Sequence, residues 1–261
     1  MIRARRRFGQ HFLHDPGVIA RIVAAIDPRP GQHLVEIGPG TGALTLPLLA
    51  RCGRLDVIEI DRDLARELPR RAAGAGELVV HQADALEFDF RALRANGPRL
   101  RLCGNLPYNI STPLLFRLLE AREAIADMHF MLQKEVVERM VARPGGNEYG
   151  RLTVMLAAAC RAQSLFRVGR GAFQPPPGVD SAVVRLVPHD GPPFPLADPQ
   201  RFARLVAAAF QMRRKTLRNS LRGLLDASAF EAAGIDAGRR PETLSPEEFA
   251  RLAGQPAAAG L

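Results

Sequence analysis

Leu34-Val35-Glu36-Ile37 is a short, mostly apolar run that ends directly in Gly38-Pro39-Gly40-Thr41-Gly42. No other stretch restricts the fold as much. Such a run meeting alternate glycines reads as a buried strand that turns sharply into a helix, since glycine tolerates positive φ and a close approach of backbone to a ligand. Strand, glycine turn and helix form half of a parallel-sheet unit, with the helix N-terminus behind anything bound at the turn. The spacing narrows what that is. A dinucleotide fingerprint, Gly-x-Gly-x-x-Gly, would place its third glycine at Ala43, which disfavours NAD or FAD. No lysine-bearing phosphate loop is present, which disfavours a triphosphate. A nucleotide-like cofactor of another kind remains.

The rest of the chain repeats the strand-helix alternation. Asp15-Pro16 is a helix start, and Val18, Ile19, Ile22, Val23 and Ile26 share one helical face. Strands are expected at 34–37, 55–60, 78–80, 100–103 and 128–132, with helices at 44–52, 64–72, 113–119 and 135–141. The stretch 152–160 is ambiguous and leans to helix. Ser164 to Val168 and Ala182 to Val187 read as a closing antiparallel pair, and a Pro-rich hinge spans 188–200. The expected architecture is α/β, a mostly parallel sheet covered by helices, in a domain spanning 1–190. A small helical domain follows over 191–261.

Parallel sheets of this kind bind ligands at the carboxyl ends of their strands. Gly38, Glu59, Asp84 and Asn105 each stand at or just beyond an expected strand end, so they should share one rim. Glu59 lies 21 residues beyond Gly38, where a carboxylate accepts from ribose hydroxyls; it serves equally as a capping acid, as does Asp61. Asp84 could accept from an exocyclic adenine amine or be a turn residue. Asn105-Leu106-Pro107-Tyr108 suits an aromatic amine. The Asn105 side-chain oxygen and the Leu106 carbonyl accept its two hydrogens, drawing the nitrogen lone pair out of the ring. Pro107 holds Leu106 extended, and Tyr108 offers a stacking face. The alternative is a polar turn. Phe173, in Phe173-Gln174-Pro175-Pro176-Pro177, is a candidate second stacker or a core aromatic, the commoner fate of Phe.

A base reached in this way arrives on nucleic acid, and the charge agrees. Lys and Arg number 36 against 27 Asp and Glu, a net charge of +9, which favours a polyanionic partner. The segment from Phe202 to Leu225 reads as an amphipathic helix on which Arg214, Arg218 and Arg222 repeat every four residues beside Arg213 and Lys215. With Arg3, Arg5, Arg6 and Arg7 near the N-terminus this gives two basic patches suited to RNA phosphates, or solvated faces. Cys52, Cys103 and Cys160 form no Cys-x-x-Cys pair, so neither disulfides nor a thiolate metal site are expected, and a reducing cytoplasm fits. No apolar run of membrane-spanning length occurs, and no apolar h-region follows the basic N-terminus, so neither a transmembrane helix nor a secretory leader is expected.

Arg6 to Leu13 (RRFGQHFL), Val35 to Leu44 (VEIGPGTGAL), Val57 to Asp61 (VIEID), Asn105 to Thr112 (NLPYNIST), Met131 to Val137 (MLQKEVV), Tyr149 to Leu152, Phe173 to Val184 and Phe210 to Leu221 (FQMRRKTLRNSL) together resemble the dimethyladenosine transferases of small-subunit ribosomal RNA. Arg240 to Ser245 resembles that family's ending. The resemblance implies a Rossmann-like class I methyltransferase with a mostly parallel seven-stranded sheet and an all-helical C-terminal domain. It implies S-adenosyl-L-methionine as cofactor and, as substrate, 16S rRNA within the immature small ribosomal subunit, dimethylated at N6 of two adjacent adenosines in its 3′-terminal hairpin loop. Carried over by motif, His11, Leu13, Gly38, Gly40, Glu59, Ile60, Asp84 and Asn105 line the cofactor. Asn105, Leu106, Pro107 and Tyr108 hold the target amine, with Phe173 as second stacker. The family commonly has Asn where this chain has His11. The enzyme is expected to be a monomer that needs neither metal nor membrane. The alternatives are a 23S rRNA methyltransferase of the macrolide-resistance type and a ribosome-assembly factor that binds RNA without catalysis. An NAD oxidoreductase is a distant third.

Overall fold

The structure, a computed structural model, describes residues 10–257. Its strands are β1 (Phe12–Leu13), β2 (His33–Ile37), β3 (Arg54–Glu59), β4 (Glu77–Gln82), β5 (Leu100–Asn105), β6 (Ile125–Gln133), β7 (Cys160–Val168), β8 (Phe173–Gln174) and β9 (Ser181–Pro188). Its α-helices are α1 (Pro16–Ile26), α2 (Thr45–Cys52), α3 (Arg62–Arg71), α4 (Phe90–Arg94), α5 (Ser111–Glu120), α6 (Lys134–Met140), α7 (Arg151–Ala159), α8 (Pro199–Gln211), α9 (Leu217–Ser220), α10 (Ala227–Ala233) and α11 (Pro246–Ala253).

Local chemistry sets the boundaries. Asp15 caps α1 by accepting from the Val18 N–H at 2.9 Å, Pro16 occupies the first turn, and Ile22, Val23 and Ile26 are buried. Asp61 caps α3 in the same manner, accepting from Asp63. The stretch 152–160 is helical through Ala159 and enters β7 at Cys160.

Seven strands form one sheet in the order β4-β3-β2-β5-β6-β9-β7. β2 to β6 run parallel, and β9 is antiparallel to β6. The chain moves outward from β2 through β3 to β4, then returns to lay β5 against the other side of β2. That reversal opens a crevice between the carboxyl ends of β2 and β5. Gly38 and Asn105 stand at those two ends, so the topology alone brings the glycine turn and the tetrad together. Gly104 lets the two strands meet there: a Cβ on it would lie 2.2 Å from the Ile37 carbonyl oxygen.

Two expectations about individual elements change. Residues 12 and 13, where no strand was expected, pair antiparallel with β8, Phe12 opposite Gln174 and Leu13 opposite Phe173. The continuous helix expected from Phe202 to Leu225 is broken: α8 ends at Gln211 and only the short α9 follows. The N–H groups of Leu217 and Arg218 donate to the carbonyls of Arg239 and Ala237, at 2.8 and 3.0 Å. These tertiary partners replace the helical ladder.

The chain divides into two compact units, but not by a single cut at 190. One comprises the described residues up to Val137 together with Gln163–Pro188; the other comprises Glu138–Ala162 and the described residues from His189 onward. The first buries a core that includes Leu34, Leu48, Leu55, Val57 and Cys103. In the second, Tyr149 and Val154 join Phe202, Leu205, Leu217, Leu221 and Phe249, so the helical unit recruits a segment that lies within the α/β portion of the sequence.

Candidate active site

A cavity opens at the switch point, lined by residues from four strand ends: Gly38 and Gly40 after β2, Glu59 and Ile60 at β3, Asp84 after β4, and Asn105 to Tyr108 after β5. His11 and Leu13 line it from the N-terminal side. The shared rim expected from sequence is therefore present.

The glycine turn is held from both sides. Gly38 donates to the Ile58 carbonyl at 2.9 Å and Gly42 to the Pro39 carbonyl at 2.9 Å. Gly38, Gly40 and Gly42 all have positive φ, the conformation that favours glycine. Above the turn, a Cβ on Gly40 would meet the Phe12 ring at 3.3 Å, so β1 closes down on the loop.

Glu59 is buried, and each of its oxygens accepts one backbone N–H: Gly40 at 3.1 Å and Asp61 at 2.9 Å. Burial raises its pKa above the usual carboxylate value, while those N–H bonds act the other way. Ile60 beside it is 45% exposed, an apolar surface on the rim. The Asp84 carboxylate accepts from the Leu86 N–H at 2.9 Å. One of its oxygens therefore shapes its own turn, in keeping with the plainer reading of that residue.

The cavity also holds a group that sequence reading passed over. Glu36 is buried in β2, lines the cavity, and accepts from the Thr45 hydroxyl at 2.6 Å. Burial, reinforced by the nearby Glu59, pushes its pKa up to about 7 against the Thr45 hydrogen bond. An acid inside an otherwise apolar strand was the available signal.

In the tetrad, the Asn105 amide donates from Nδ2 to the His11 carbonyl at 2.9 Å. A carbonyl only accepts, so this contact fixes which end of the amide is nitrogen and leaves Oδ1 as the acceptor for another group. The Leu106 side chain is buried, and its N–H donates to the Met131 carbonyl at 3.2 Å. That bond ties the loop to the end of β6. The Tyr108 ring lies against the His11 imidazole, which bonds through Nδ1 to the Pro175 carbonyl at 2.8 Å; beside a carbonyl, that nitrogen is the N–H donor.

Phe173 is a correction. It is 1% exposed, belongs to the apolar core with Leu13, Val168 and Ala172, and does not line the cavity. Its pairing with Leu13 across β1 and β8 turns it inward. Arg5, Arg6 and Arg7 lie outside the described residues. Arg214, Lys215, Arg218 and Arg222 are exposed, although they do not form the expected helical stripe. Arg213 has a structural partner, donating to the Asn147 carbonyl at 2.5 Å. Among the described residues no helix is long and apolar enough to cross a membrane.

The model of the ribosomal RNA adenine dimethylase family matches residues 1–255. The chain belongs to that family. A relative in Pseudomonas putida called ribosomal RNA small subunit methyltransferase A is 56% identical over 253 residues, covering 97% of this chain and 95% of its own. One of the same name in Chromohalobacter salexigens is 57% identical over 255 residues, 96% of this chain and 90% of its own. Among solved structures, a dimethyladenosine transferase from Plasmodium falciparum superposes with a TM-score of 0.79 at 27% identity, covering 93% of this chain and 96% of the other. The 23S rRNA methyltransferase ErmE gives 0.71 at 30% identity, covering 93% and 98%. This dimethylase-family chain thus has the Rossmann-like class I methyltransferase fold, with its seven-stranded, mostly parallel sheet.

Proposed function

We propose that this enzyme uses S-adenosyl-L-methionine to dimethylate N6 of two adjacent adenosines in the 3′-terminal hairpin loop of 16S rRNA, acting as a cytoplasmic monomer on the immature small subunit without a metal ion. The observation that carries the reading is Asn105: its amide N–H is committed to the His11 carbonyl, which reserves Oδ1 for an amine at the mouth of a cavity floored by buried carboxylates.

The cavity fits the cofactor. Glu59 suits the ribose hydroxyls, Ile60 and Asp84 the adenine, and Glu36 the ammonium group of the amino-acid end, with Gly38, Gly40, His11 and Leu13 as the surrounding wall. When bound, the cofactor supplies an electrophilic methyl group. The protein's own part is positioning and charge complementarity. Asn105 Oδ1 and the Leu106 carbonyl accept the two N6 hydrogens, which localises the nitrogen lone pair. Pro107 keeps Leu106 extended, and Tyr108 supports the base by stacking. Once alkylated the nitrogen sheds its proton readily, so the site needs no strong base. Flipping the base costs about a few kcal/mol and stacking returns about 1–3 kcal/mol.

We assign catalysis to the unit that contains the cavity. RNA docking is assigned to Arg214, Lys215, Arg218 and Arg222, together with Arg5, Arg6 and Arg7. The small-subunit relatives at 56% and 57% identity favour 16S rRNA over 23S rRNA.

The test is transfer of labelled methyl from the cofactor to immature small or large subunits. Label on small-subunit RNA, resolving to dimethyladenosine, is expected; label on large-subunit RNA alone overturns the choice of substrate. Asn105→Ala should lower transfer by at least about 100-fold, a loss of the size seen when one transition-state hydrogen bond is removed. Its cofactor Kd should stay within a few fold. Unchanged turnover would remove Asn105 from the reacting site.

A further inference from the structure

The tetrad is a loop between β5 and α5, and a loop is a poor place for a stacking surface unless something rigid holds it. Tyr108 is held from three directions. Its carbonyl accepts from the Ser111 hydroxyl at 3.0 Å. Its ring lies against the His11 imidazole, 5.8 Å between centroids and 27° between planes. Its phenol shares a hydrogen bond with the Ser181 hydroxyl at 2.7 Å.

The third of these contacts comes from the sheet. Ser181 is the first residue of β9, paired with Gln133 of β6. The preceding Asp180 is fixed as well: its carbonyl accepts from Lys134 at 2.9 Å and its carboxylate from the Arg170 N–H at 3.3 Å. Ser181 is 0% exposed. It cannot touch RNA or cofactor, so any effect it has on the reaction passes through the ring. Burial raises the Tyr108 pKa, which keeps the phenol a neutral hydroxyl able to share this bond at working pH.

We propose that Ser181 is a positioning residue for methyl transfer: its hydroxyl anchors the Tyr108 phenol to β9, so that the ring presents one fixed face to the incoming base. A tyrosine side chain turns about two bonds. Backbone contacts restrain the near end and the His11 imidazole one face, while the contact at the hydroxyl fixes the far end. Stacking worth about 1–3 kcal/mol depends on that face being in place before the base arrives. The inference rests on the reading of Tyr108 as a stacking surface.

A double-mutant cycle tests it. Ser181→Ala and Tyr108→Phe each remove one hydroxyl and keep the ring. Each should lower kcat/KM on immature small subunits by about 5- to 10-fold, the size of one hydrogen bond, with cofactor Kd unchanged. The double variant should be no worse than either single one. The chain has only two tyrosines, Tyr108 and Tyr149, so carbon-13 tyrosine labelling gives two ζ-carbon signals. Ser181→Ala should shift that of Tyr108 and leave that of Tyr149 in place. Multiplying losses in the double variant, wild-type turnover of Ser181→Ala, or an unmoved Tyr108 signal would each overturn the proposal. Should Ser181→Ala fail to fold, Ser181→Cys enters the same cycle, keeping the volume and weakening the hydrogen bond. If the wild-type protein labels neither subunit, the methyltransferase reading fails, whereas the carbon-13 measurement still decides whether Ser181 holds Tyr108.

Discussion

Glu36 shows how much a single residue can cost a fold and why it is kept. Its pKa, raised to about 7 by burial, means that the unfolded chain ionises it near 4.5 while the folded chain still holds the proton. Stability from this group is intact below pH 4.5, is lost as pH rises toward 7, and is constant above. A shift of that size amounts to up to about 3 kcal/mol. Glu36→Gln, which still accepts from Thr45, should raise Tm at pH 8 and leave it unchanged at pH 4, measured by thermal melts at both. The same variant should bind the cofactor worse. A cationic ligand favours the carboxylate, so wild-type affinity should rise with pH up to about 7, by at most about tenfold per unit, and then level off; the variant's affinity should be flat. Calorimetric titrations at several pH values would show this, and parallel profiles for the two proteins would place Glu36 away from the ligand. At this scale the sequence was legible where a polar residue follows a strand end, as at Glu59 and Asn105. It was not legible for Phe173, whose burial is decided by Leu13, its partner across β1 and β8. No local pattern encodes a pairing between residues so far apart in the chain.

Among the elements, the strands around the switch point were the most readable, because fully buried parallel strands are short apolar runs with sharp ends. β2, β3 and β5 fall within a residue or two of their expected positions. The helix expected from Phe202 to Leu225 was not readable as broken, since its apolar spacing continues across the break and its interruption depends on carbonyls of residues 237 and 239. Gly104 belongs to this scale, because what it protects is a strand contact. It has φ of +158°, and a Cβ there would come within 2.2 Å of the Ile37 carbonyl oxygen. That atom is backbone in the adjoining strand and cannot turn aside as a side chain would. Gly104→Ala should therefore separate β5 from β2 and destabilise the protein by about 3 kcal/mol or more. Gly171→Ala, with nothing within 4 Å of the added carbon, should change stability by no more than about 0.5 kcal/mol. Chemical denaturation of both variants compares them directly, and equal midpoints would refute the close-packing account of Gly104.

For the whole molecule, the proposed division of labour between a catalytic unit and a helical RNA-docking unit is a statement about charge, and charge is testable through salt. The net charge of +9 rests almost wholly on arginine, and each arginine that neutralises an RNA phosphate displaces counterions. Affinity then falls with salt by a slope of about 0.7–0.9 per contact. Arg213, Arg214, Arg218 and Arg222 are all exposed, but Arg213 also bonds to the Gly146 and Asn147 carbonyls at 3.4 and 2.5 Å. The four neighbours should therefore behave differently. Replacing Arg214, Arg218 and Arg222 together with Ala should weaken binding to immature small subunits and flatten the plot of log affinity against log salt by about 2–3, with Tm little changed. Arg213→Ala should lower Tm and change the salt slope by less than one contact's worth. A triple variant with an unaltered slope would mean that these arginines face solvent in the complex as they do in the free protein. RNA docking would then have to rest on other basic residues of the chain.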